Sequence, residues 1–203
     1  MIPGIPLYDS RMNAAVAPEV AGIAVRALAL AAGDGWPAPA VARILEELRP
    51  LHIDARSLVS LLELPAPDGW PALEIGEGND AHATLFAMRR GQSMPLHDHP
   101  SMTVICKVLF GAIRIRTLVW TDRAAGVARD LGDRVMGPAD EALLLAPEPG
   151  TIHAIEALED CAFLDLFSPY YDDDRECSYF EIANAAGSAS LVTLRRTEHG
   201  DLR

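Results

Sequence analysis

From Ala83 to Ser168 the chain runs as short β-prone segments rich in Val, Ile, Leu and Phe, each closed by Gly, Pro or Asp. Long helices cannot form through punctuation of this density, and many short strands at regular spacing predict an antiparallel β-sandwich or small barrel. The candidate strands are Ala83 to Arg89, Met102 to Leu109, Ala112 to Trp120, Val127 to Leu131, Arg134 to Met136, Leu143 to Pro147, Thr151 to Ala157 and Ala162 to Ser168. Gly111 lies between two of them, where a hairpin turn is expected.

The stretch ahead of this region has a different texture. Ala14 to Ala32 is rich in Ala and Leu, and Pro39 to Leu48 places Val41, Ile44, Leu45 and Leu48 on one helical face. Asp54 is placed to cap a third helix carrying Leu58, Leu61 and Leu62. Pro65, Pro67, Gly69 and Pro71 end the helical part. The expected organisation is therefore a helical segment over residues 1–72 that packs on a β core over residues 73–203, forming one structural domain. A chain of 203 residues, half of them hydrophobic, has enough apolar side chains for one substantial core.

Seventeen basic against 29 acidic side chains give a formal net charge of −12, which repels a polyphosphate backbone, so nucleic acid is not an expected partner. No window reaches the ~18 to 20 apolar residues of a membrane span. Nor does the start resemble a secretion signal, because Pro3, Gly4, Pro6 and Asp9 stand where a basic patch and hydrophobic run belong. Cys106, Cys161 and Cys177 make no CxxC pair and no even disulfide framework, which suits a reducing, cytoplasmic compartment; with no obvious apolar zipper, a monomer is expected.

Chemistry is concentrated in Met94 to Pro100, MPLHDHP. In an extended segment a period of two puts His97 and His99 on one face and turns Asp98 away, so the two imidazoles can share a metal ion. A third ligand must come from elsewhere, and His153 in PEPGTIH, where a Pro149–Gly150 turn leads into a strand, is the natural candidate. His52, His82 and His199 have no partner at useful spacing.

Gly91, the His97-x-His99 pair, Gly111, and then Pro147, Gly150 and His153 together resemble the two motifs of the cupin superfamily. That likeness implies a mainly β, cupin-type double-stranded β-helix, here with N-terminal α-helices. Many cupins carry a glutamate after the histidine pair, where this chain has Thr103 and Val104. The expected ligand set is three neutral imidazoles, which leave the full charge on a divalent metal and favour an anionic donor such as a thiolate.

A closer resemblance lies in PLHDHPSMTVICKVLFGAIRI, Trp120, GTIHAIEA and LDLFSPYYDDDRECSYF. These blocks, spanning Gly91 to Phe180, are similar to the thiol dioxygenase family that contains cysteamine (2-aminoethanethiol) dioxygenase and the plant cysteine oxidases. The resemblance implies an Fe(II) enzyme that uses O2 to oxidise a small thiol such as cysteamine, or a peptide with an N-terminal cysteine, to a sulfinic acid. Position by position, it makes His97, His99 and His153 the iron ligands and places Asp165 and Tyr171 near the substrate. It makes Cys177 and Tyr179 a pair able to form a thioether crosslink.

On the residues alone, each secondary assignment has a structural reading beside it. Asp165 fits a carboxylate that bonds backbone, Tyr171 a packing residue, and Cys177 and Tyr179 an unmodified pair on one strand face. Cys106 and Cys161 fit small buried hydrophobes, and Asp172 to Asp174 a solvated loop. Two other classes stay open at this point: a cupin enzyme with a different divalent metal, and a non-catalytic cupin binding module.

Overall fold

The computed structural model of the protein describes residues 18–31, 35–64, 66, 69–78, 81–171, 176–185 and 190–197. Helices α1 (Pro18–Ala29), α2 (Ala38–Leu48) and α3 (Ala55–Leu62) come first. Within the described residues α1 ends at Ala29, short of the Ala32 end expected from the alanine-rich stretch. Asp54 caps α3 as expected, its carboxylate accepting from Ser57 N at 2.8 Å.

Among the described residues eleven strands follow: β1 (Ala72–Gly78), β2 (Ala81–Met88), β3 (Ser93–Asp98), β4 (Thr103–Phe110), β5 (Ile113–Asp122), β6 (Val127–Met136), β7 (Leu143–Leu145), β8 (Thr151–Ala157), β9 (Cys161–Ser168), β10 (Tyr179–Ala185) and β11 (Leu191–Thr197). They form a five-stranded sheet, β1-β2-β9-β4-β7, and a closed six-stranded ring, β10-β11-β6-β5-β8-β3. Between β2 and β5, and again between β6 and β10, successive strands alternate between the two sheets. The fold is thus the mainly β, cupin-type double-stranded β-helix with N-terminal helices.

This alternation corrects the reading of Gly111. β4 pairs with β7 and β9, whereas β5 pairs with β6 and β8, so the glycine marks a crossing between sheets and not a hairpin. The turn takes φ +69°, and a Cβ there would lie 2.3 Å from Asp160 O, so only glycine fits. The two short strands expected at Val127 to Leu131 and Arg134 to Met136 are one strand, β6, running through Gly132.

Side chains on the five-stranded sheet alternate between two environments, as a period of two requires. Ala83, Leu85, Ile105, Leu109, Leu164 and Leu166 face the helices and share one core with Ile44, Leu48, Leu58 and Leu61. Each Leu or Ile buried there contributes roughly 2 kcal/mol of hydrophobic stabilisation, so the helical segment and the sheet stabilise each other. On the inner face, Met88, Cys106, Val108 and Phe163 meet Ile113, Ile115 and Ile155 of the ring. Asp165, between Phe163 and Phe167 on β9, belongs to this inner face, as do His82 and Thr84 of β2. A third cluster, with Leu118, Trp120, Ile152, Phe180, Val192 and Leu194, lies on the other side of the ring wall. No helix among the described residues is long and apolar enough to cross a membrane.

Candidate metal centre

β3 and β8 are far apart in sequence but adjacent in the ring, and their register places His97 directly opposite His153. On the other flank of β3, Tyr179 of β10 pairs with the same His97. Residues directly opposite in an antiparallel ladder point to the same face, so His153, His97 and Tyr179 form a row across three strands. His99 follows the end of β3 and rejoins the cluster. One ligand atom from each of His97, His99 and His153 can be chosen so that all lie within 4.8 Å of one another. The three side chains expected from the sequence are therefore brought together, and no carboxylate joins them among the described residues.

Burial is nearly complete: His97 is 8% exposed, His99 4% and His153 0%. Burial first, and the neighbouring histidines second, hold the pKa values of His99 and His153 well below the ordinary range, so both rings are neutral at neutral pH. His97 Nδ1 lies 2.9 Å from Pro95 O; as a donor there it puts the ring's lone pair on Nε2. His99 Nε2 and His153 Nε2 face each other at 2.9 Å. Two uncharged imidazole nitrogens at this distance repel unless a proton or a cation lies between them, and a trio of imidazole nitrogens suits a divalent first-row metal. The residues present thus fit a bound metal ion.

Around the histidines the structure places the other sequence candidates. Tyr171 Oη is 2.5 Å from His99 Nδ1, so it contacts the ring nitrogen remote from His153. Burial pushes the Tyr171 phenol well above its ordinary pKa, and it remains a neutral hydroxyl. Cys177, also kept protonated by burial with its pKa pushed up to about 12, is hydrogen-bonded by both Tyr179 and Tyr171. Asp165 is 3% exposed and lies opposite Thr84 on one side and Cys106 on the other. Burial raises its pKa to about 7, opposed by a hydrogen bond with the Cys106 thiol. Its Oδ1 has no hydrogen-bond partner. Met102, Val104, Leu145 and Phe167 pack with Tyr170 and Tyr171 to form an apolar wall.

Several features of the site escape a reading of the sequence. His82 looked partnerless, yet it is buried with Nε2 3.1 Å from Glu74 Oε1 and its ring stacked on Tyr170 at 4.0 Å. Burial lowers its pKa to about 4. Cys106, read as a small hydrophobe, is also the partner of Asp165. The signal for both is strand register, which a linear sequence does not carry. His199 and the acidic run Asp172 to Asp174 lie outside the described residues.

The sequence model of the PCO_ADO family matches residues 71–199, from the start of the five-stranded sheet to beyond β11. The chain belongs to the PCO_ADO family. Among curated proteins similar to it is a probable 2-aminoethanethiol dioxygenase of Dictyostelium discoideum, 33% identical over 113 residues, a match covering 51% of this chain and 52% of that one. Plant cysteine oxidase 2 of Arabidopsis thaliana is 30% identical, with 47% of this chain and 38% of that one covered. The 2-aminoethanethiol dioxygenase of Mus musculus is 30% identical, with 52% and 54% covered. The chain spans about half the length of these relatives or less.

Proposed function

We propose that the chain is an Fe(II)- and O2-dependent thiol dioxygenase that converts cysteamine, or the N-terminal cysteine of a peptide, to a sulfinic acid. The observation that carries this reading is the buried trio of histidines, joined by no carboxylate among the described residues, in a member of the PCO_ADO family. Relatives named as 2-aminoethanethiol dioxygenase and plant cysteine oxidase support the thiol as substrate. The reaction balances without a further reductant: both oxygen atoms join the sulfur, and the thiol supplies every electron that O2 gains.

A ferrous ion held by His97, His99 and His153 would supply Lewis acidity toward the thiolate and electrons toward O2. The remaining tasks fall to the protein. Pro95 O fixes the His97 ring, and Tyr171 fixes the orientation of His99. The apolar wall of Met102, Val104, Leu145 and Phe167 excludes water. Asp165, when ionised, is suited to pair with the ammonium of cysteamine or of a peptide N-terminus. Cys177 and Tyr179 would be the pair for a thioether link, a reading that their hydrogen-bond contact supports. Free, buried Cys106 and Cys161 suit a reducing, cytoplasmic setting.

Aerobic incubation of the Fe(II)-loaded protein with cysteamine, free cysteine and Cys-initiated peptides, followed by mass spectrometry, tests the proposal. A gain of two oxygen atoms on one of these thiols is expected. Metal binding with no oxygen uptake on any of them would refute it, as would full activity with a different divalent ion in place of iron. Tyr171→Phe is expected to lower kcat about tenfold while leaving iron content within about twofold of normal. Unchanged kinetics would remove its hydroxyl from the mechanism.

A further inference from the structure

Asp98, the last residue of β3, stands between His97 and His99 and on the opposite face, 1% exposed. Both carboxylate oxygens are engaged: Oδ1 accepts from Ser178 N at 3.0 Å, and Oδ2 accepts from Arg123 Nη2 at 2.7 Å. Its own backbone N–H donates to Ser178 O at 3.0 Å. Ser178 is in turn flanked by Cys177 and Tyr179. One residue on each side therefore ties a pair of candidate ligands to a pair of residues at the edge of the site.

Arg123 reaches in from the turn between β5 and β6. Its side chain is half-exposed, and its guanidinium sits 5.8 Å from the centre of the Trp120 ring. The carboxylate of Asp98 thus joins the end of β3 to the β5–β6 turn and to the lead into β10, beside its ladder pairing with Ile152 of β8. Residues 176–178 belong to no helix or strand, and pairing of β10 with β3 begins only at Tyr179. Hydrogen bonds to a buried charge are the strong ones, and a segment with few ladder contacts opens locally when they are lost.

We infer that Asp98 is a positioning residue that anchors the 176–178 segment, and with it the Cys177 thiol and the Tyr179 ring, against His97 and His99. Its value to catalysis rests on the proposed function, whereas the anchoring does not. Without the carboxylate, Ser178 N and the Arg123 guanidinium lose their shared acceptor, and the described contacts that remain to the segment are Asp98 N, those of Cys177 and β10. Arg123 makes the anchor two-sided, so the β5–β6 turn and the Cys177 segment are coupled through a single side chain.

The three cysteines report on this directly. Cys106 and Cys161 are fully buried and Cys177 only partly, so alkylation separates local from global opening. Iodoacetamide labelling of the full iron-loaded chain, read cysteine by cysteine by peptide mass spectrometry, is scored on molecules whose mass shows a free Cys177 thiol. Asp98→Ala is expected to speed labelling of Cys177 about tenfold or more, with Cys106 and Cys161 still protected. Asp98→Asn keeps an acceptor for Ser178 N, and its Cys177 rate is expected within about threefold of the native protein.

A native rate at Cys177 in Asp98→Ala overturns the inference. So does equal acceleration in Asp98→Asn, because the Ser178 contact would then not matter. Loss of protection at all three cysteines together makes Asp98 a general fold determinant and overturns it too. If the labelling goes as expected but the native iron-loaded protein oxidises no thiol, the proposed function is refuted and the anchor stands.

Discussion

Asp165→Asn is expected to abolish most thiol oxidation while making the protein more stable above pH 7 and less stable near pH 4. The buried carboxyl has a folded-state pKa raised from 3.8 to about 7. Between these values the unfolded chain loses a proton that the folded chain retains. Stability therefore falls as pH rises through that window and levels off above it, a loss of roughly 4 kcal/mol at most. An asparagine does not ionise, but its amide has to find partners beside Thr84 and Cys106, which costs about 1–3 kcal/mol at every pH. The two curves cross between pH 4 and pH 7.

Urea denaturation of the metal-free proteins at pH 4.5 and pH 8 checks this, with the stability difference expected to change sign. An equal difference at both pH values would show that Asp165 does not titrate in the window. For activity, losing a charged partner of the substrate amine predicts a fall of about 10- to 100-fold in kcat/KM. Retained iron would separate that loss from damage to the metal centre. A residue that destabilises the resting protein and serves the substrate is the pattern expected of a functional carboxylate on a buried sheet face.

The second large effect is expected at His153. Removing this ring leaves His97 and His99 with no third nitrogen, and Tyr171, Cys177 and Asp165 cannot replace it as neutral ligands. Fe(II) binding is expected to weaken by more than about 100-fold in His153→Ala. The metal-dependent rise in Tm, which follows ligand mass action, is expected to vanish with it. The metal-free variant need not be much less stable, because the close His99–His153 nitrogen contact is relieved even as a small cavity opens. A His153→Ala protein that binds iron at native affinity would remove this residue from the ligand set.

The histidine trio was legible because its parts are local. A period of two in MPLHDHP aligns His97 with His99, and the Pro149–Gly150 turn marks the entry to the strand of His153. What brings the parts together is the β3–β8 register, a long-range pairing that only the motif resemblance anticipated. β1, with two glycines and two glutamates in ALEIGEG, lacks the apolar run that marked the other strands. β10 and β11 alternate Phe180, Ile182, Val192 and Leu194 inward, but they follow polar segments that read as loop and tail. Gly111 carried a correct turn signal and a wrong partner, since a turn residue shows where a chain bends and not which sheet receives it. The Asp98–Arg123 pair was hidden for a related reason: period two shows that Asp98 points away from the histidines, while what lies on that side depends on how the ring closes.

X-ray absorption at the iron edge of the Fe(II)-loaded protein tests the central claim most directly. The account predicts a first shell with three imidazole nitrogens and no carboxylate or thiolate from the protein. A protein carboxylate, a Cys177 sulfur, or fewer than three imidazoles in that shell would contradict it.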